Sequence, residues 1–176
     1  MRDKIRVFDK LVGKQVTRLP KSILPIMVGF TWIGEPVVTV GIGATVLGYG
    51  LALNKASYIT IGSIAIVTIL VGALLKIILR RTRPRTDYVE TMFFNTYSFP
   101  SGHAIGSLVS FGLAALVITN KWPMLEISSW LVALVCILIV SLSRIYLGAH
   151  YASDVIGGWI VGAIGLAIIV SVGKIS

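Results

Sequence analysis

The stretch SRIYLGAHYASD, residues 143–154, sets a cation, an imidazole and a carboxylate close together between two long apolar runs: Arg144, His150 and Asp154. Ionisable groups beside or inside such runs are costly, so function is the default expectation for them. Paired charge that serves only to join helices is the competing explanation. His150 and Asp154 stand four apart. On a helix beginning near His150, the carboxylate can accept a bond from the imidazole and fix its tautomer. Two further clusters have the same character. In KIILRRTRP, residues 76–84, Lys76 and Arg83 are seven apart and share a face if the helix continues that far. Pro84 disfavours helix at Arg83 itself. PSGH, residues 100–103, is a turn signal leading straight into an apolar run. Such a turn aims backbone N–H groups outward at a helix N-terminus, where anions bind. Cations, imidazoles and N–H donors together suit the handling of a phosphate group.

The elements that must position these residues follow from composition. Of 176 residues 56% are hydrophobic and 13% charged. A soluble domain of this size cannot hide so much apolar surface, so the expectation is an all-α integral membrane helical bundle. Residues 1–176 form a single domain. The net charge is +9, and the apolar bulk makes anionic lipid or phosphate, not nucleic acid, the expected partner. Cys136 is the single cysteine, so no internal disulfide forms. The start of the chain alternates apolar residues with charges and does not resemble a cleaved signal.

In residues 1–21, Ile5, Phe8, Leu11, Val12, Val16 and Leu19 recur at helical spacing, with Lys and Arg on most of the other face. Two placements fit this amphipathic helix: lying in the membrane interface, or packed on the protein's own surface. Residues 22–34 fall short of the ~30 Å hydrocarbon core at ~1.5 Å per residue, so they re-enter, pack, or form one end of a span. Five better spans follow at 36–53, 57–79, 103–119, 124–147 and 151–172, giving five or six transmembrane helices in 22–176. If the last four are real, the 80–102 and 143–153 loops share one face of the membrane and their clusters can converge. Arg80, Arg81 and Arg85 are expected to snorkel to headgroups. Gly102-x-x-x-Gly106 and Gly158-x-x-x-Gly162 permit close helix packing.

Taken together, Lys76 with Arg83-Pro84, then Pro100-Ser101-Gly102-His103, then Ser143-Arg144 with His150 and Asp154, resemble the three-part signature of the type 2 phosphatidic acid phosphatase family. Bacterial acid phosphatases and vanadium haloperoxidases share that signature. Order and internal spacing match without a gap. The resemblance implies a lipid phosphatase whose nucleophile is His150, forming a phosphohistidine, with Asp154 orienting it. It implies that His103 protonates the leaving oxygen and then helps to activate water. Lys76, Arg83 and Arg144 would neutralise the phosphoryl oxygens, with hydrogen bonds from Ser101 and the Gly102 amide. No metal or other cofactor is expected.

Expected substrates are polyprenyl pyrophosphate, phosphatidylglycerophosphate or phosphatidic acid, entering sideways from the bilayer. Residues 86–99 would form a partly apolar lip through Phe93 and Phe94. A lipid phosphotransferase, or a non-catalytic lipid-phosphate binder or transporter, are the other readings. The resemblance places the site on the extracytoplasmic side of the plasma membrane, whereas counting Lys and Arg near the motif loops favours the cytoplasmic one.

Overall fold

The computed structural model describes residues 2–92 and 97–173. Among these, all regular structure is helical: α1 (Arg2–Val16), α2 (Leu24–Ile33), α3 (Pro36–Ala52), α4 (Ala56–Leu79), α5 (Asp87–Glu90), α6 (Gly102–Lys121), α7 (Glu126–Tyr146) and α8 (Ala152–Val172), with short 3-10 turns at Lys21–Ile23 and Pro123–Leu125. Phe93 and Phe94, expected to form a lip, lie outside the described residues.

Helices are the form an apolar segment must take in lipid, because they satisfy their own backbone groups. Among the described residues, five apolar helical segments are long enough to cross a membrane, the first being Lys21–Ala52. That segment is broken at Gly34–Glu35, and its first part does not cross. At the α2 start, the Tyr146 hydroxyl donates to Pro20 O at 3.1 Å. Further along, Thr31 lies 3.0 Å from Ser143. A Cβ added at Gly34 would sit 3.3 Å from the His103 ring. All three contacts fall at one end of the bundle, so α2 packs along the end of α7 and returns to the face it left. Among the described residues the crossing helices are therefore five: α3, α4, α6, α7 and α8.

α6 is the central helix. It packs against α3, α4, α7 and α8, and its buried face includes Ile105, Val109, Leu113 and Leu116. These join Tyr58, Ile61 and Ala65 of α4 and Ile169 of α8 in one core. The outer helices invert the usual pattern: Leu70, Leu74 and Ile78 of α4 and Ile156, Ile160 and Ile164 of α8 are exposed, as suits a hydrocarbon solvent. Close approach of α8 to the start of α6 needs Gly158, where a Cβ would lie 2.7 Å from Ser101 O.

α1 lies on the end of the bundle that carries α2. Of its two expected placements, the one seen is packing on the protein's own surface. Its buried Asp9 packs against the start of α8, while Val7, Phe8 and Leu11 stay exposed. The expected shared face of the two motif loops is also found: Ser101 N donates to Asp154 O at 2.9 Å, and Thr86 Oγ1 to Gly148 O at 3.2 Å.

Candidate active site

The site forms where the ends of α4 and α7 meet the starts of α6 and α8. Lys76 sits in the last turn of α4, facing the start of α6; a Cβ on Gly102 would lie 3.4 Å from its Nζ. α4 ends at Arg80, whose positive φ of 49° turns the chain out of the helix. Arg83 therefore does not share a helix face with Lys76. It arrives from an extended loop, its Nη1 donating to Ala149 O at 2.9 Å and lying 3.2 Å from His150 Nε2.

Arg144 ends α7 with none of its surface exposed. Its Nη1 donates to Thr31 Oγ1, and at 3.4 Å to the Tyr88 hydroxyl, and its guanidinium lies 5.7 Å from the Tyr88 ring centre. Its carbonyl accepts the N–H groups of both Ala149 and His150, at 3.0 and 3.1 Å. That tight wrap passes through Gly148 at φ +67°, the left-handed region that favours glycine. The nucleophile candidate is thus held by the backbone of a phosphate-binding candidate.

His150 precedes the helix: α8 begins at Ala152, so the expected helical i, i+4 pair is a loop residue meeting the first turn. The two groups still meet. His150 Nδ1 is 3.5 Å from Asp154 Oδ2. A guanidinium can only donate, so His150 Nε2 must be the acceptor toward Arg83 and the ring proton sits on Nδ1, facing the carboxylate. That tautomer leaves the Nε2 lone pair turned to the cations. Burial, then the positive charges of Arg83, Arg144 and Lys76, push the imidazole well below its ordinary pKa, so it is neutral near pH 7.

Asp154 is fully buried, accepting from Tyr151 N at 2.9 Å and from Arg81 Nη1 at 2.7 Å. Arg81 does not snorkel. It bridges Asp154 to Asp9 of α1, whose Oδ2 is 2.7 Å away, and stacks 4.4 Å from the Tyr151 ring centre. Arg80 and Arg85 are exposed. Ser101 caps α6, its Oγ accepting from Ala104 N at 3.4 Å, and Gly102 and His103 open that helix. His103 Nε2 lies 3.3 Å from Glu35 Oε1.

Among the described residues, three buried side-chain nitrogens lack a hydrogen-bond partner: His103 Nε2, Arg144 Nε and His150 Nδ1. All three belong to this cluster, and unpaired buried donors are otherwise rare. A cavity of about 990 Å³ adjoins it through Lys76, Arg83 and Gly102 and continues along Thr39, Ile69, Ala73 and Ile77. Ile69 lies about two helical turns below Lys76, so the cavity joins a cationic end to an apolar flank.

The structure thus gathers Lys76, Arg83, His103, Arg144, His150 and Asp154, with Ser101 and Gly102 at the α6 start. Sequence reasoning missed Asp9, Thr31, Glu35 and Tyr88, and gave Arg81 a different role. Glu35 did carry a signal, as a lone carboxylate between two apolar stretches.

Comparison with known proteins places the chain in a family. The chain is 33% identical over 104 residues to undecaprenyl-diphosphatase of Sulfolobus acidocaldarius, covering 56% of this chain and 46% of that protein. It is 31% identical over 96 residues to phosphatidylglycerophosphatase B of Bacillus subtilis, covering 53% of this chain and 46% of that one. Each match thus spans just under half of the relative's length. The crystal structure of a transmembrane PAP2-type phosphatidylglycerolphosphate phosphatase from Bacillus subtilis shares the fold, with a TM-score of 0.79 at 24% identity, covering 96% of this chain and 85% of that chain. The sequence profile of the PAP2 superfamily matches residues 57–174, a region containing all three motifs and the four helices that carry them. On that match, the chain belongs to the PAP2 superfamily.

Proposed function

We propose that this protein is a membrane lipid phosphatase that hydrolyses a lipid phosphate or diphosphate through a phosphohistidine. One observation carries it: His150 is held between Arg83, 3.2 Å from its Nε2, and Asp154, 3.5 Å from its Nδ1, which turns Nε2 to a cationic site. In the first step, Nε2 attacks phosphorus while Lys76, Arg83 and Arg144 hold the phosphoryl oxygens. His103 gives its proton to the leaving oxygen. In the second, His103 takes a proton from water, which displaces His150 from phosphorus. Asp154 stabilises the charge on His150 in between.

The apolar flank along Ile69, Ala73 and Ile77 suits a substrate whose chains remain in the bilayer. Polyprenyl pyrophosphate, phosphatidylglycerophosphate and phosphatidic acid are the candidates, the first two in line with the relatives' names. Phosphate release by detergent-solubilised protein tests the reading on all three lipids, with chelator present and a His150→Ala control. Release that survives chelation and vanishes in the variant supports it. A folded protein releasing nothing from any lipid defeats it in favour of a binder or transporter.

We assign the site to the extracytoplasmic side of the plasma membrane, following the family resemblance. One observation favours the opposite orientation: α1 adds its lysines and arginines to the face that already holds Arg80 and Arg85. A membrane-impermeant maleimide, applied to intact cells carrying Lys10→Cys in a Cys136→Ala background, decides between them. Labelling supports the extracytoplasmic assignment, and protection until lysis reverses it.

A further inference from the structure

We propose that Glu35 is a positioning residue for His103, holding it as proton donor to the leaving oxygen and so setting which leaving groups the site can expel. This rests on the phosphatase reading above. Glu35 occupies the break between α2 and α3, with extended φ and ψ of −60° and 147° and Pro36 opening the next helix. Its Oε1 stands 3.3 Å from His103 Nε2, a nitrogen with no hydrogen bond elsewhere. The contact requires the preceding glycine, since a Cβ at Gly34 would lie 2.5 Å from Val140 and 3.3 Å from the His103 ring.

The charges around His103 make this contact chemically meaningful. Lys76 from α4 and Arg144 from α7 bring positive charge to its surroundings. Beyond them in the site stand Arg83 and His150 from the loops, Tyr88 from α5, and Asp154 from α8, which is engaged with Arg81 and the Tyr151 N–H. Glu35 is thus the carboxylate placed against His103. A carboxylate beside a phosphate pocket repels the substrate, and its proximity to this histidine gives it a compensating role.

With Nε2 turned to Glu35, Nδ1 is the atom left to carry the transferable proton. As the bond from His150 Nε2 to phosphorus forms, the bond from phosphorus to the leaving oxygen breaks, its electron pair going to that oxygen. The oxygen takes the proton from His103 Nδ1, which is then returned by the attacking water in the second step. An alkoxide leaves poorly without that proton. A lipid phosphate, expelled from a diphosphate, leaves well without it. Glu35 therefore matters most for lipid monoesters.

The test compares wild type, Glu35→Gln and Glu35→Asp on dodecyl phosphate, 4-nonylphenyl phosphate and farnesyl diphosphate, whose leaving groups are an alcohol, a phenol and a phosphate. Glu35→Gln is expected to lose about 100-fold in kcat on the first, less on the second and under about threefold on the third, while Glu35→Asp keeps most activity on all three. Equal losses across the series, or no loss on dodecyl phosphate, overturn the proposal. So does a wild type confined to the diphosphate. A wild type that cleaves none of the three overturns the phosphatase reading itself. If Glu35→Gln lowers the melting temperature, the graded comparison is carried by Glu35→Asp, whose shorter side chain should produce the same ordering with smaller losses; a uniform loss there is again fatal.

Discussion

Arg81 reaches Asp154 at 2.7 Å through one guanidinium nitrogen and Asp9 at 2.7 Å through the other, tying the surface helix α1 to the carboxylate that faces His150. Arg81 is partly exposed, whereas both carboxylates are buried. Removing the shared cation leaves two buried acids facing each other, which costs several kcal/mol when one partner of a buried pair is deleted, at most about 5. Arg81→Gln should lower the melting temperature of detergent-solubilised protein and reduce kcat between about tenfold and hundredfold, with KM little changed. Asp9→Asn should do less of both, because its remaining carbonyl oxygen can still accept from Ser153 N.

His150 titrates below the ordinary imidazole value, and the sign of the effect on activity follows. A depressed pKa keeps the nucleophile neutral as pH falls, so kcat/KM should hold through pH ~6.5 and decline only well below it. Stability obeys the same linkage. The unfolded chain binds a proton near pH ~6.5 that the folded chain refuses, so stability should fall as pH drops below that value. Thermal melts of wild type and His150→Asn from pH 5 to pH 8 check this. The variant should lose part of the acid-side slope.

Arg144 presents a fork whose partners are fixed by Thr31 and Tyr88. A lysine supplies the charge but not the planar geometry. Arg144→Lys should therefore fold and lose roughly 100-fold or more in kcat, comparable to removing one donor from an oxyanion site. Tyr88→Phe should cost far less, since its 3.4 Å bond is the longer of the two. Steady-state kinetics on the preferred lipid measure both.

Gly158 allows α8 to seat its first turn against the PSGH turn. An alanine methyl there would meet Ser101 O at 2.7 Å and Ala104 Cβ at 2.8 Å. Gly158→Ala should destabilise by about 1–3 kcal/mol, and by displacing Asp154 relative to His103 it should lower activity beyond the loss of folded protein. Melting curves and activity normalised to folded protein separate the two effects.

Much of this architecture was legible because apolar length and motif spacing are direct consequences of the bilayer. The five spans read from residues 36 onward match α3, α4, α6, α7 and α8 to within two residues at each end. Convergence of the two loops followed from counting crossings. Arg81 was not legible, because nothing in LRRTR announces that Arg80 adopts a left-handed turn, a conformation usually signalled by glycine. The length of 22–34 excluded a full crossing by itself, but the return of α2 depends on Thr31 meeting Ser143, a contact between residues 112 apart. Thr31 and Tyr88 are ordinary residues whose role exists only because Arg144 points at them.

The return of α2 to the face it left makes the number of crossings among the described residues odd. Any segment joined ahead of α1 shares a compartment with the histidines, and any segment joined after α8 occupies the other. For a newly made chain this sets a particular task. If the histidines face outward, the stretch up to Pro36, with its seven lysines and arginines, must be translocated ahead of the first crossing helix. The membrane potential, negative inside, resists that movement. If they face inward, the same stretch stays where it was synthesised.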